Sequence, residues 1–137
     1  MIRIYTASKL HHAAMWRAIG LSRPGVMFTA RWLKHMLLGQ PEDPALAVEF
    51  WQEDITDVVA ADAVLIYAEP QDQLRGALVE VGAALAVGVP VITAGESDFF
   101  GTWQYHPGVV ARAPTVEDAL VWATANIKTR HHTGVKP

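Results

Sequence analysis

The chain has 137 residues, of which 51% are hydrophobic and 18% charged, a composition typical of one compact globular domain. Cysteine is absent, which excludes disulfides, thiol nucleophiles and thiolate metal sites. The net charge of −3 does not favour binding to duplex nucleic acid, and no apolar run approaches the ~18 residues of a membrane span. Because the chain also opens without a secretory signal pattern, we expect a cytoplasmic protein with no membrane partner.

Apolar runs and turn residues divide the chain into alternating strands and helices. The predicted strands cover residues 1–6, 26–29, 63–67, 91–94 and 109–111. The predicted helices cover residues 10–19, 44–60, 74–86 and 115–127. This alternation predicts a three-layer, doubly wound α/β domain with a parallel sheet in the flavodoxin-like order 2-1-3-4-5. The domain is expected to span residues 1–127, followed by a flexible C-terminal tail over residues 128–137.

The turn after the first strand contains a candidate anion site. Ser8 is placed to cap the first helix, and the free N–H groups there can hold an anion, with Lys9 adding positive charge. The alternative is a plain helix cap beside a solvated lysine. His11 and His12 are not expected to bind a metal, because adjacent helical residues point about 100° apart and no histidine follows four residues later.

The second predicted helix carries two aspartates. Asp54 and Asp57 fall outside its expected buried stripe, which consists of Val48, Trp51, Ile55, Val58 and Val59. Asp54 is therefore either a solvated residue or an acid in an active site. The polar, aromatic loop over residues 95–106 presents a similar choice, since Trp103 and His106 can cover a ligand or pack in the core.

Glu80 is the strongest candidate for a functional residue. Its neighbours one helical turn away, which include Gly76 and Ala84, carry no side chain larger than a methyl group, so space is left beside the carboxylate. Alternatively, these small residues allow another helix to approach, in the same chain or in a second subunit. In the expected topology a crevice lies at the carboxyl ends of strands 1 and 3. The fold would then bring Tyr5, Ser8 and Glu80 towards one crevice.

Residues 2–95 resemble the nucleoside 2-deoxyribosyltransferase family and the related nucleotide N-glycosidases. The similar residues occur in the family's order: Ile4-Tyr5, Asp54, Ala61-Asp62 before the central strand, Glu80-x-Gly82-x-Ala84, and the segment 88–91. The resemblance implies that Glu80 is the nucleophile, that Tyr5 hydrogen-bonds to it, and that Asp54 handles the departing base. A carboxylate can attack an anomeric carbon to form a glycosyl-enzyme ester. It also implies no cofactor and a homo-oligomer whose sites are completed at subunit contacts.

The chain departs from this family at the sugar-binding position. Leu74 stands where relatives usually have a polar residue six positions before the nucleophile, and Asp72 lies slightly further upstream. The opening turn lacks the usual glycine, and Ser8 with Lys9 suits a 5′-phosphate. The expected substrate is thus a 2′-deoxynucleoside or its 5′-monophosphate. The expected reaction is sugar transfer to another nucleobase; the alternatives are hydrolysis and an inactive module that binds or senses a nucleotide.

Overall fold

The computed structural model describes residues 1–35, 43–98 and 100–130. Five parallel strands form one sheet in the order β2-β1-β3-β4-β5. They are β1 (Ile2–Ala7), β2 (Val26–Phe28), β3 (Ala63–Ala68), β4 (Val91–Gly95) and β5 (Val109–Ala113). This arrangement confirms the predicted doubly wound α/β fold and its strand order.

The described helices connect these strands and cover the sheet. They are α1 (Ala13–Ser22), the short α2 (Trp32–His35), α3 (Pro44–Ala60), α4 (Gly76–Val87) and α5 (Val116–Asn126). Short 3-10 segments precede α1 at Leu10–His12 and β5 at Thr102–Tyr105. Among the described residues, no helix combines the length and the apolarity needed to cross a membrane.

The ends of these elements follow from local sequence chemistry. The Asp43 side chain caps α3 by accepting a hydrogen bond from the Ala45 N–H at 2.9 Å, and Pro44 occupies the first turn, where its missing N–H has no cost. Thr115 caps α5 by accepting from the Asp118 N–H at 3.1 Å. Gly88 ends α4 in the left-handed conformation at φ 80°, which a glycine adopts without steric penalty.

The core lies on both faces of the central strands. Strand β3 is almost fully buried because it pairs with β1 on one side and β4 on the other. Strand β1 also pairs with β2, so the winding reverses between β1 and β3. Their carboxyl ends therefore lie side by side, and the loops that follow them diverge to opposite faces of the sheet. A crevice forms at this point.

The prediction for the buried face of α3 is wrong. Of the five residues in the expected stripe, Val58 is buried and Ile55 is half-buried, whereas the other three are between 40% and 56% exposed: Val48, Trp51 and Val59. The helix is rotated about its axis by roughly 100° from the expected orientation. Its inward face instead includes Asp57, which is buried because Arg31 pairs with it at 2.8 Å.

The prediction that Ser8 caps the first helix is also wrong. The helical segment after β1 begins with a 3-10 turn at Leu10. Lys9 occupies its N-cap position, and no side chain forms a capping hydrogen bond there. The Ser8 hydroxyl is engaged elsewhere: it donates to the Lys9 carbonyl and accepts from the Trp16 indole N–H, both at 2.9 Å. The indole thus holds the hydroxyl close to the turn.

The C-terminal segment is described as far as Arg130, whose backbone N–H donates to the Asp62 carboxylate at 2.6 Å. This contact holds the chain to the sheet beyond the predicted domain boundary at residue 127. The rest of the predicted tail, residues 131–137, lies outside the described residues, as does Phe99 of the aromatic loop. The domain limits stay a prediction.

Candidate active site

A cavity of about 700 Å³ opens at the carboxyl ends of β1 and β3. It lies between the turn after β1, helices α2 and α3, and the start of α4. Its lining includes the sequence-predicted residues Ser8, Lys9, Asp54, Gly76 and Glu80, together with Leu10, His11, Trp32, His35, Ala47, Phe50, Trp51, Gln73, Leu74, Arg75 and Ala77.

Glu80 lies on the wall of this cavity and is hydrogen-bonded to Tyr5. Glu80 is 6% exposed and Tyr5 is fully buried, and the Tyr5 hydroxyl donates to Glu80 Oε2. Burial raises the pKa of Glu80 to about 8; the hydrogen bond from Tyr5 opposes this rise, and the charge of Asp54 adds to it. Burial and the nearby Glu80 charge raise the pKa of Tyr5 well above its usual value. Tyr5 therefore stays protonated and acts as a fixed donor to the carboxylate.

Asp54 is a second perturbed carboxyl group in the same cavity. Burial, followed by the charges of Asp57 and Glu53, raises the pKa of Asp54 to about 6, while His35 and Arg31 act in the opposite direction. At neutral pH a protonated fraction of Asp54 is thus available as an acid. Carboxyl groups with pKa values pushed upward by burial and by neighbouring charge are typical of catalytic sites.

A set of charged contacts positions the helix that carries Asp54. Arg31 Nε lies 3.0 Å from Asp57 Oδ1, and the Arg31 guanidinium is also 3.5 Å from Glu53. His35 Nε2 lies 2.8 Å from Glu53 Oε1. These contacts connect α2 and the residue before it to α3 beside the cavity. The part of α3 that carries Asp54 is therefore held by polar contacts of Glu53 and Asp57.

Aromatic side chains form the wall beside Asp54, and sequence reasoning missed them. Trp32, Phe50 and Trp51 line the cavity, and the His35 ring stacks on Phe50 with centroids 4.5 Å apart and planes inclined by 11°. Trp51 packs so close to Gly76 that a Cβ there would lie 3.2 Å from its ring. The spacing of residues 47, 50, 51 and 54 could have predicted this wall, because residues three and four apart lie on one face of a helix. In the structure that face of α3 lines the cavity.

Two cationic side chains border the cavity, one in the turn after β1 and one directly before α4. Lys9 is half-buried and Arg75 is exposed, and both line the cavity. Within the described ranges, neither side chain forms an ion pair or a hydrogen bond. The predicted site residues Ser8 and Lys9 therefore do lie at the cavity, although Ser8 is not a helix cap.

Three predicted substrate-binding residues occupy other places. Asp72 is buried beneath the cavity loop, and its carboxylate accepts from the Glu69 N–H and contacts His12 Nε2 at 2.7 Å. Trp103 packs edge-on against Phe100, and the exposed His106 accepts a hydrogen bond from the Gly108 N–H. None of the three belongs to the cavity lining.

The raised pKa of Glu80 predicts a pH-dependent effect of Glu80→Gln on stability. The folded state retains its proton up to about pH 8, whereas an ordinary glutamate titrates near 4.5. The stability linked to this proton is complete below the ordinary pKa and is lost as pH rises towards the folded-state value. Because glutamine does not titrate and still accepts from Tyr5, the variant should have a free energy of unfolding about 3 kcal/mol higher at pH 7.

Urea unfolding at several pH values checks this expectation. The gain in free energy of unfolding from Glu80→Gln should shrink below about 1 kcal/mol at pH 5, where the glutamate is protonated in the folded state and the pH lies only about half a unit above its pKa in the unfolded chain. The exposed Glu96→Gln serves as the control and should show no such trend. If the difference in free energy of unfolding between wild type and Glu80→Gln does not vary with pH, the pKa of Glu80 is not raised in the folded state.

Comparison with known proteins shows a similarity of fold to a solved enzyme structure. No family model matches the sequence, and no curated protein matches it either. Among solved structures, the chain is similar to a 2-deoxyribosyltransferase from the psychrotolerant bacterium Bacillus psychrosaccharolyticus, with a TM-score of 0.68 and 19% sequence identity. The similarity covers 93% of this chain and 98% of the other. The two chains therefore share a fold over almost their whole length.

Proposed function

We propose that the protein is an enzyme of the nucleoside 2-deoxyribosyltransferase type, which cleaves the N-glycosidic bond of a 2′-deoxynucleoside or its 5′-monophosphate. The observation that carries the proposal is the buried Tyr5–Glu80 hydrogen bond on the wall of a cavity that also contains Asp54. The fold shared with a 2-deoxyribosyltransferase supports it independently.

In the first half of the proposed reaction, Glu80 attacks the anomeric carbon of the sugar. The bond from Glu80 oxygen to C1′ forms while the bond from C1′ to the base nitrogen breaks, and the electron pair leaves with the base. Asp54 donates its proton to that nitrogen, which makes the base a better leaving group. Tyr5 orients the attacking carboxylate and favours its ionised form.

In the second half, an incoming nucleobase attacks C1′ and displaces Glu80. The ester bond breaks, the carboxylate of Glu80 is restored, and Asp54 takes the proton lost by the incoming base. Water in place of the second base would give hydrolysis, with free sugar as the product. We propose transfer as the main reaction, because the aromatic wall of Trp32, Phe50 and Trp51 gives a flat base a surface on which to bind and from which to react.

The cationic end of the cavity suggests where a phosphate would bind. Lys9 and Arg75 present positive charge at the rim, and Ser8 lies beside them. A 5′-monophosphate at this end would leave the sugar facing Glu80 and the base facing the aromatic wall. The Leu74 side chain has no polar atom, so the sugar hydroxyls would have to form hydrogen bonds with residues other than the one at this position.

We further propose that the protein acts as a homo-oligomer in the cytoplasm. The exposed apolar residues of α3, Val48, Trp51 and Val59, support association with a second copy, because such a stripe is usually covered. Trp51 belongs both to this stripe and to the cavity lining. Association through α3 would therefore enclose the site further. Light scattering with a Val48→Lys variant tests this point.

Incubation with a panel of 2′-deoxynucleosides and their 5′-monophosphates, with and without an acceptor base, tests the proposed activity. Chromatography follows free base and new nucleoside, and intact mass detects a sugar-sized adduct on the protein. Exchange of bases supports transfer, whereas free sugar supports an N-glycosidase. Binding seen as thermal stabilisation, without base release from any substrate, would replace this proposal with a nucleotide-binding module.

A further inference from the structure

Two histidines and two carboxylates meet at the edge of the cavity, and the proposed reaction gives a role to none of them. His11 and His12 lie in the 3-10 turn after β1, whereas Glu69 and Asp72 lie in the loop after β3. One ligand atom from each of the four lies within 4.8 Å of all the others. The sequence argument against a metal assumed that the two histidines diverge on a helix, yet their ring centroids lie 4.0 Å apart.

Surrounding contacts hold these four groups in place. The Tyr67 hydroxyl donates to Glu69 Oε2 at 2.8 Å, and the Glu69 N–H donates to Asp72 Oδ2 at 2.9 Å. The His12 ring packs edge-on against Tyr67, with centroids 4.9 Å apart. Outer contacts of this kind orient the ligands of metal sites, so that little rearrangement is needed on binding.

A tetrahedral metal site requires ligand atoms closer together than the 4.8 Å within which these four lie. Bond lengths of 2.0–2.2 Å to nitrogen and oxygen imply ligand atoms roughly 3.4 Å apart. His11 Nε2 lies 3.8 Å from Asp72 Oδ1 and would have to approach slightly. His12 Nε2 lies 2.7 Å from Asp72 Oδ2, so this pair would have to open by less than 1 Å, with the ion replacing a shared proton.

The donor set selects the class of ion. Imidazole nitrogens favour zinc and similar transition metals, whereas magnesium and calcium prefer sites made only of oxygen. Metal ligands must be unprotonated, and an aspartate carboxylate meets this requirement at neutral pH.

We propose that His11, His12, Glu69 and Asp72 bind one divalent transition-metal ion of the zinc class. The ion would join the turn after β1 to the loop after β3. Those two segments also supply cavity residues, including Lys9 and Arg75. Metal binding would thus hold the two loops at the cavity mouth in one relative position, and this proposal does not depend on the reaction that the cavity performs.

Calorimetric titration of the chelator-treated protein with Zn²⁺ tests the site. The tail carries a second pair, His131 and His132, so the titrations use both the wild type and a background in which these two are alanine. We expect one ion per chain in both. His11→Ala and Glu69→Gln should each weaken binding at least about tenfold and abolish the rise in Tm caused by the ion. His106→Ala, a matched exposed histidine, should leave the affinity unchanged.

Co²⁺ in place of Zn²⁺ adds a spectroscopic measurement. Four-coordinate Co²⁺ absorbs strongly in the visible region, and this absorption should be lost in His11→Ala, whose side chain is 59% exposed and whose removal should leave the fold intact by circular dichroism. Mg²⁺ should not raise Tm. Binding that disappears with the tail histidines, or that is unaffected by both His11→Ala and Glu69→Gln, would overturn the proposal and leave the His12–Asp72 contact as a structural tie between the loops.

Discussion

Replacing Glu80 with glutamine is expected to lower base release by at least about 10⁴-fold, because loss of a covalent nucleophile removes the lowest-energy route to the products. The change is nearly isosteric, and glutamine still accepts the hydrogen bond from the buried Tyr5 hydroxyl. The fold should therefore persist while the chemistry is lost. The measurement is the initial rate of base release from the best substrate of the panel.

Two accompanying measurements make this result specific to a glycosyl-enzyme intermediate. Intact mass should show a sugar-sized adduct on the wild type after rapid acid quench, and no adduct on Glu80→Gln. The exposed Glu96→Gln should keep both the rate and the adduct. If Glu80→Gln turned over at the wild-type rate, covalent catalysis by this residue would be excluded, and a direct displacement would have to be considered.

Replacing Asp54 with asparagine is expected to lower kcat/KM by about 10² to 10⁴ and to change the shape of its pH profile. Asparagine cannot donate a proton to the leaving base, and general acid catalysis is worth this range of rates. The loss should be smaller for substrates whose bases leave easily without a proton. The exposed Glu49→Gln on the same helix is the control and should retain the wild-type rate.

The pH profile follows from the two raised pKa values. The reaction needs Glu80 ionised, with a pKa of about 8, and Asp54 protonated, with a pKa of about 6. The wild-type kcat/KM should rise up to about pH 6, stay level, and fall above about pH 8, because the gain in ionised Glu80 offsets the loss of protonated Asp54 between these values. At pH 7 each required form is present at a fraction of about 0.1.

Asp54→Asn removes one of the two titrating groups, and the profile should respond accordingly. The falling limb should vanish, so that kcat/KM rises to a plateau set by Glu80 alone. This plateau should begin below pH 8, because the Asp54 charge contributes to the raised pKa of Glu80 and is absent in the variant. A falling limb that survives in Asp54→Asn would assign the acid to another group.

The fold was predictable because its signals are local. Strands buried on both faces appear as continuous apolar runs, as in residues 63–67, and turn residues mark where each one ends. Regular alternation with helices then leaves few parallel topologies. The predicted start of α3 at residue 44 agrees with the structure, where a proline in the first turn and a side-chain cap act within a single turn.

The candidate site was only partly predictable because it joins segments far apart in the chain. Tyr5 and Glu80, 75 residues apart, were expected at one crevice, since the topology alone brings the ends of β1 and β3 together. The aromatic wall around Trp32 was missed, because α2 has only four residues and leaves no periodic pattern. Trp103 and His106 were expected at the ligand, yet they lie outside the cavity lining.

The sequence by itself determined the strands, the four longer helices and the strand order, because apolar patterning and end signals act over a few residues. Only the tertiary structure decided which face of α3 turns inward: Asp57 is buried and paired with Arg31, whereas three residues of the expected apolar stripe stay exposed. It also decided that His12 meets Asp72 across 60 residues. Such contacts depend on how loops pack at the edge of the sheet, and no local pattern records them.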